Sequence, residues 1–134
     1  MFRLIKILNS GVNVPEPCII EKSTTLKVKM GSALVLSGGK ASTCSATTAP
    51  TYIAIADAIK GETSVPCYPV NGDMLFETAI DGDPTSVNVG NKVTLSTDSD
   101  GCAVFVSDST SSGVATVVHI GDAKKSGDKI TVKF

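Results

Sequence analysis

The 134-residue sequence is poor in aromatic side chains, which make up 4% of it, and it contains no tryptophan. Proteins that bind single-stranded nucleic acid stack the bases on aromatic rings, and many sugar-binding grooves use rings in the same way. The 12 lysine and arginine residues are balanced by 13 aspartate and glutamate residues, which gives a net charge of −1. Because nucleic-acid binding also needs a basic surface, we expect no nucleic acid among the partners.

Long apolar runs are missing as well. No stretch approaches the roughly 20 apolar residues that a membrane-spanning helix needs. The apolar run between Phe2 and Leu8 is too short for the core of a secretory signal, and no cleavage site of small residues follows it. We therefore expect a protein that is made in a cytoplasm and that has no contact with a membrane.

The four cysteines, Cys18, Cys44, Cys67 and Cys102, lie far apart and form no C-x-x-C pair. A structural zinc site needs closely spaced pairs of ligands, so this spacing argues against zinc. Disulfides are rare in proteins that stay in a reducing cytoplasm. We expect four reduced thiols and no metal.

The sequence offers one histidine, His119, as a catalytic base. It contains no G-x-S-x-G elbow for a nucleophile, and alternation places His119 on one strand face with Ala115 and Val117. We expect a structural residue and no enzyme. A small β-fold enzyme built around His119 stays open as an alternative, as does a carbohydrate-binding module that uses Tyr52 and Tyr68.

Aspartate-rich turns are the remaining candidates for a cation site. The turn at residues 98–101 is similar to the middle of an EF-hand loop, but Ser107 stands where the closing bidentate glutamate belongs. Aspartate and glycine are also favoured in hairpin turns. We expect no cofactor, with a weak cation site shared by Asp81, Asp83, Asp98 and Asp100 as the alternative.

What dominates the chain is alternation of apolar and polar residues, interrupted by glycine, asparagine and aspartate. The pattern predicts about ten short strands and no long helix, hence an all-β, small barrel-like domain. Gly38 and Gly39 lie between two strands and predict a tight hairpin. The predicted strands cover residues 25–30, 33–36, 40–46, 52–56, 63–70, 74–78, 93–95, 102–106, 114–120 and 129–134. Since proline lacks an amide donor, Pro66 and Pro69 predict that their strand is an edge strand or contains a bulge.

One succession of motifs resembles the capsid decoration (cement) proteins of tailed bacteriophages. A strand, a glycine, an apolar run and Gly-Gly-Lys fill residues 27–41, and similar segments follow at residues 50–54, 61–62, 65–70 and 74–78. Each motif is ordinary hairpin sequence, and the resemblance rests on their order. Beyond residue 78 it concerns composition only.

The resemblance implies a β-tulip domain in a structural protein of the virion. Such a protein is made in the host cytoplasm, binds the major capsid protein on the outside of the head and stabilises the head. It also implies a homo-oligomer, with trimers as one form, and no catalytic residues. Another virion component, such as a head-fibre base or a tail-tube protein, is the nearest alternative.

The N-terminal segment is the candidate partner-binding element. We divide the chain into residues 1–17, an N-terminal strand with a proline-containing linker, and a single β domain over residues 18–134. The hypothesis is that the segment forms an extended arm that adds to a sheet edge of the partner. The candidate residues are Phe2, Leu4, Ile5, Ile7, Pro15 and Pro17. The alternative is that the first strand pairs inside the domain's own sheet.

Overall fold

The computed structural model describes residues 1–8 and 16–134, and its fold is all β, as predicted. In chain order, strands β1 to β12 are Arg3–Ile7, Cys18–Glu21, Ala33–Ser37, Lys40–Thr43, Tyr52–Ala54, Ser64–Pro69, Met74–Asp81, Lys92–Val93, Leu95–Thr97, Ala103–Ser107, Ala115–His119 and Lys129–Lys133. The helical content of these residues is one short 3₁₀ turn, Pro84–Ser86. In the described part of the chain no helix has the length and apolar character to span a bilayer.

The large sheet is organised around β7. Its strand order is β8-β11-β12-β7-β10-β9, and β1 also pairs with β7. Strand β7 is eight residues long, and this length gives it room for three neighbouring strands. Its buried side is almost entirely apolar. The antiparallel strand β1 pairs with residues 74–77 of β7 and the antiparallel strand β12 with residues 76–79, while the parallel strand β10 joins its last residues, Ile80 and Asp81.

The small sheet is antiparallel and partly rolled. Its order is β2-β6-β5-β3-β4, and a bridge between Lys22 and Ala41 brings its two outer strands together at one end. The turn between β3 and β4 is the predicted one, with Gly38 and Gly39 at φ values of 57° and 78°. The expected barrel is not closed, because the strands divide into two sheets.

Two apolar cores result from this arrangement. The first core lies between the sheets and contains the buried residues Phe2, Ala33, Cys44, Ile53, Met74, Phe76, Ile80, Val87, Val93, Leu95, Ala103, Val106, Ala115, Val117, Ile130 and Val132. The second core lies on the inner face of the small sheet and contains Ile20, Val28, Leu34, Ala41, Ala54, Ala58, Val65 and Cys67.

Two sequence predictions for the small sheet are wrong. Residues 25–30 do not form a strand, although Val28 makes an isolated bridge with Ala58. Their alternation has another cause: Val28 fills the second core, while Lys27 and Lys29 reach acidic side chains of the large sheet. Alternation reports which side chains are buried, and an extended crossing segment produces the same pattern as a strand.

Strand β6 is an interior strand despite its two prolines. It lies between β2 and β5, where Pro66 is opposite Ile19 and its carbonyl accepts a hydrogen bond from Ile55 N at 3.0 Å. The backbone nitrogen of Pro66 faces β5, so the cost is one missing bond in that ladder. Pro69 is the last residue of the strand, where a missing donor matters least.

The N-terminal strand belongs to the domain itself. Strand β1 pairs antiparallel with β7, with Arg3 opposite Glu77 and Ile7 opposite Met74. This is the internal pairing that stood as the alternative to an extended arm. Phe2, one of the residues named for partner binding, is 2% exposed and packs in the first core.

Candidate attachment surface

Strand β1 is fixed against the small sheet by Gly31. The amide of Phe2 donates to the Gly31 carbonyl at 3.0 Å. Gly31 has a φ of 77°, and a Cβ there would lie 2.6 Å from Met1 Cβ. Only glycine allows both this left-handed conformation and this close approach.

Within the described part of the chain, one edge of β1 is left open. It pairs with β7 on one side, and no strand of residues 1–8 and 16–134 pairs with its other side. The Phe2 amide points away from β7, because it donates to Gly31. By alternation, the backbone groups of Leu4 point the same way. An open edge of this kind can accept an added strand.

Beside this edge lies an apolar cleft of about 370 Å³. Strand β1 forms one wall, and β5 with the neighbouring β6 forms the other. Its lining residues are Met1, Phe2, Arg3, Leu4, Met30, Gly31, Ile53, Ala54, Ile55, Tyr68 and Phe76. Cleft size and lining therefore suit apolar side chains that enter from outside.

The apolar surface continues across the outer face of the small sheet, opposite the second core. Ile19 on β2 is 77% exposed and lies opposite Pro66. The Pro66 carbonyl accepts a hydrogen bond from the Ile55 amide, and Tyr68 lies two residues further along the same face of β6. Ile55 and Tyr68 both line the apolar cleft, so this row joins the sheet edge to it.

A second, charged cleft of about 240 Å³ adjoins the first and shares Met1 and Arg3 with it. Here Glu77 accepts hydrogen bonds from Lys129 at 3.0 Å and from Arg3 at 2.8 Å. The Lys129 ammonium, aided by Arg3, holds the pKa of Glu77 below its usual value. The single carboxylate of Glu77 pairs with two cationic side chains, Arg3 and Lys129, so this end of the surface has an excess of positive charge.

The sequence-predicted partner residues fall partly on this surface. Leu4 lines the apolar cleft, Ile5 is exposed, and Ile7 is partly buried on β1. Pro17 is exposed ahead of β2, and Pro15 lies outside the described residues. The sequence reasoning missed Ile19, Met30, Ile55 and Tyr68. Their signal was available for β6, where both faces of residues 64–69 carry apolar side chains.

His119 does not take part in any site that the structure assembles. A bulge between Val117 and His119 shifts the register of β11 against β12, and it turns the ring outward instead of towards the first core. The ring is exposed and makes no side-chain hydrogen bond with the described residues.

The aspartates named as a cation site are occupied by other partners. The Asp98 carboxylate binds Lys29 at 2.5 Å, and Asp100 binds Lys29 at 2.6 Å and Lys27 at 3.0 Å. Asp81 accepts from Ser96, and Asp83 caps the 3₁₀ turn through Thr85. Among the described residues no group of three or more His, Cys, Asp or Glu side chains is arranged to hold a metal ion.

These ion pairs connect the two sheets. Burial alone would raise the pKa of Asp98, but the Lys29 ammonium and the amides of Cys102 and Asp100 hold it below its usual value. Lys29 and then Lys27 lower the pKa of Asp100 in the same way. The arrangement fits a structural clamp between the sheets.

The two tyrosines do not form a sugar-binding platform. Tyr52 packs against the second core, on the inner face of the small sheet. Tyr68 lies opposite Ile53, which packs in the first core, so the two rings point to opposite faces.

One of three comparisons with known proteins found a protein of similar architecture. No protein-family model matches the chain, and no curated protein matches it. The chain is similar to a solved structure, the head fiber gp8.5 N base of bacteriophage phi29, with a TM-score of 0.54 and 21% identity. The similarity covers 89% of this chain and 94% of that one. The chain therefore has the fold of a phage head-fibre base over nearly its whole length.

Proposed function

We propose that the chain is a structural protein of a tailed-phage virion that attaches to the outside of the head by binding the major capsid protein. The observation that carries the proposal is the fold similarity to the head-fibre base, which extends over almost the full length of both chains. The decoration-like succession of motifs in residues 27–78 supports it independently. The chain works by binding, and no reaction is assigned to it.

The attachment surface in this proposal is the apolar cleft, with the outer face beside it. An extended capsid segment lies along the open edge of β1, and its backbone bonds to that edge. Alternate apolar side chains of the segment enter the cleft near Met30 and Ile55. An acidic residue of the segment meets Arg3 and Lys129 in the charged cleft. The chain accepts a strand here, whereas the sequence hypothesis had it donate one.

Weak individual contacts are sufficient for such a protein. If the chain forms a homo-oligomer such as a trimer, each bound subunit raises the effective concentration of the others at the capsid. Avidity then gives lasting attachment without a large interface per subunit.

The test is binding to heads of the encoding phage that were assembled without this chain. Wild-type protein is expected to sediment with the heads. Met30→Arg and Ile55→Arg place a charge in the apolar cleft and are expected to reduce binding at least tenfold. Val89→Arg is the matched control, since Val89 is exposed at 63% and does not line the cleft.

The outcomes separate two claims. Wild-type protein that fails to bind heads under any condition contradicts the head-surface function. Wild-type binding that Met30→Arg and Ile55→Arg leave unchanged contradicts only the assignment of the surface.

A second candidate is the base of a head fibre, and the same fold similarity favours it. The two candidates differ in position and copy number on the virion. Electron cryomicroscopy of virions distinguishes them: a decoration protein forms an array over the head lattice, and a fibre base is continuous with a projecting fibre.

A further inference from the structure

Two of the four cysteines face each other across neighbouring strands. In the register of β2 and β6, Cys18 is directly opposite Cys67. Directly opposite residues of antiparallel strands have Cα atoms about 4.5 to 5.5 Å apart. Disulfides join Cα atoms about 4.4 to 6.8 Å apart, so the backbone already has a suitable spacing.

Both side chains are on the same side of the sheet. Cys67 belongs to the second core, and Cys18 packs against that core. The Cys18 thiol donates to the Cys67 carbonyl at 3.6 Å, which places its sulfur over the partner's backbone. The other two cysteines are elsewhere, with Cys44 in the first core and Cys102 donating to the Lys27 carbonyl.

The two thiols differ in access. Cys18 is partly exposed and can meet a soluble oxidant, while Cys67 is fully buried. Burial, with a smaller effect of the neighbouring Cys18, raises the pKa of the Cys67 thiol to about 12. Cys67 is therefore slow to react with a reagent from solvent, and Cys18 is the entry point.

We propose that Cys18 and Cys67 form a reversible disulfide when the folded protein meets an oxidant of the disulfide class, such as oxidised glutathione. The Cys18 thiolate attacks one sulfur of the oxidant, and one glutathione leaves as a thiol. Cys67 then gives up its proton and attacks Cys18 Sγ, which releases the second glutathione. Two thiol hydrogens and two electrons pass to the oxidant, which ends as two reduced glutathione molecules.

The bond ties down an edge strand. Among the strands of residues 1–8 and 16–134, β2 has one ladder neighbour, β6. The cross-link closes a loop between two residues 49 positions apart, and a loop of this length restricts the unfolded chain strongly. A reductant such as dithiothreitol opens the bond again by thiol–disulfide exchange. Oxidation thus makes the rolled sheet more resistant to opening, and reduction restores its free form.

The test uses the native wild-type chain with oxidised glutathione and no denaturant. The intact mass is expected to fall by about 2 Da relative to the reduced chain, the mass of the two hydrogens that the disulfide loses. Non-reducing peptide mapping is expected to show residue 18 linked to residue 67. The apparent Tm should rise by several degrees and return to its starting value with dithiothreitol.

Matched variants give the test its controls. Cys44→Ala with Cys102→Ala keeps the proposed pair and should still form the disulfide, whereas Cys18→Ser should not. A lasting glutathione adduct on Cys18 of the wild-type chain, or a disulfide that involves Cys44 or Cys102 instead, contradicts the pairing. So does a wild-type chain that remains fully reduced while folded. These readouts do not depend on binding to heads.

Discussion

The two sheets are stabilised by different means. The first core, between the sheets, contains large side chains, and the ring centroids of Phe2 and Phe134 lie 5.3 Å apart, next to Phe76. The second core, inside the small sheet, has no aromatic residue among its buried members, and three of its eight residues are alanine. Small side chains let the sheet roll tightly, but they bury little apolar area.

A buried lysine compensates at the rolled end of the small sheet. Lys22 is 2% exposed, and its ammonium donates to the carbonyls of Leu26 at 2.7 Å, Ile59 at 2.9 Å and Ser23 at 3.3 Å. Three donors meet three acceptors, and no buried side-chain N or O atom among the described residues lacks a partner. The comparison indicates that a sheet with a small apolar core can be stabilised by one buried polar group, here the Lys22 ammonium, which binds carbonyls from neighbouring loops.

The largest effect is expected from removing a ring of the first core. Phe76→Ala should lower the free energy of unfolding by about 3 to 5 kcal/mol, because it leaves a cavity beside the Phe134 ring. Urea denaturation measures this value. Phe105→Ala is the matched control on a partly exposed ring and should cost clearly less. Equal losses would show that the first core does not dominate stability.

The junction of the two sheets is next in size. Gly31→Ala should lower the free energy of unfolding by about 2 to 3 kcal/mol, because it adds backbone strain and pushes Met1 away. Gly39→Ala has the same sign of φ with nothing within 4 Å of the added Cβ, so it isolates the strain. A loss of equal size in the two variants would contradict the close approach of the N-terminal strand.

The polar centre of the small sheet should have a smaller effect. Lys22→Met keeps the length of the side chain but leaves the carbonyls of Leu26 and Ile59 without this donor. We expect a loss of about 2 kcal/mol in the free energy of unfolding, measured in urea. Lys40→Met, at an exposed position, should stay within about 0.5 kcal/mol of wild type. A more stable Lys22→Met protein would show that the desolvation cost of the ammonium exceeds its bonds.

The smallest effect concerns the clamp between the sheets. Because Asp98 and Asp100 have lowered pKa values when folded, their contribution is present above the unfolded pKa of about 4 and disappears as pH falls through the folded values. The urea midpoint should drop as the pH falls below about 4. Lys29→Gln should weaken this dependence, and Lys40→Gln, at an exposed position outside the clamp, should not. A pH profile that Lys29→Gln leaves unchanged would assign the acid sensitivity to other carboxylates.

The sequence predicted the all-β class and the Gly38–Gly39 hairpin because both depend on local chemistry. Strand pairing was out of reach, since it depends on residues far apart in the chain. Pro66 illustrates this: a missing donor costs little when the neighbouring strand tolerates the gap, and no local pattern reports the neighbour. His119 is similar, because the bulge that turns it outward arises from the register between β11 and β12.

Sequence reasoning named only some of the residues that form the proposed attachment surface. Leu4 was named from its apolar strand, but the cleft is also lined by Met30, Ile55 and Tyr68, which come from three other segments. The buried Lys22 gave no signal at all, because an isolated lysine after a strand looks like any solvated residue.

The position of β7 has a consequence for how the chain reaches its fold. Its ladder partners include β1, joined through Arg3 to a residue 74 positions later, and β12, joined through Lys129 to a residue 52 positions earlier. Pairing such distant segments costs a large loop-closure entropy before packing contacts form and stabilise the chain. Folding should therefore be slow, on the millisecond-to-second scale. During synthesis β7 emerges well before β12, and until β12 arrives its apolar side chains stay open to contact with other nascent chains.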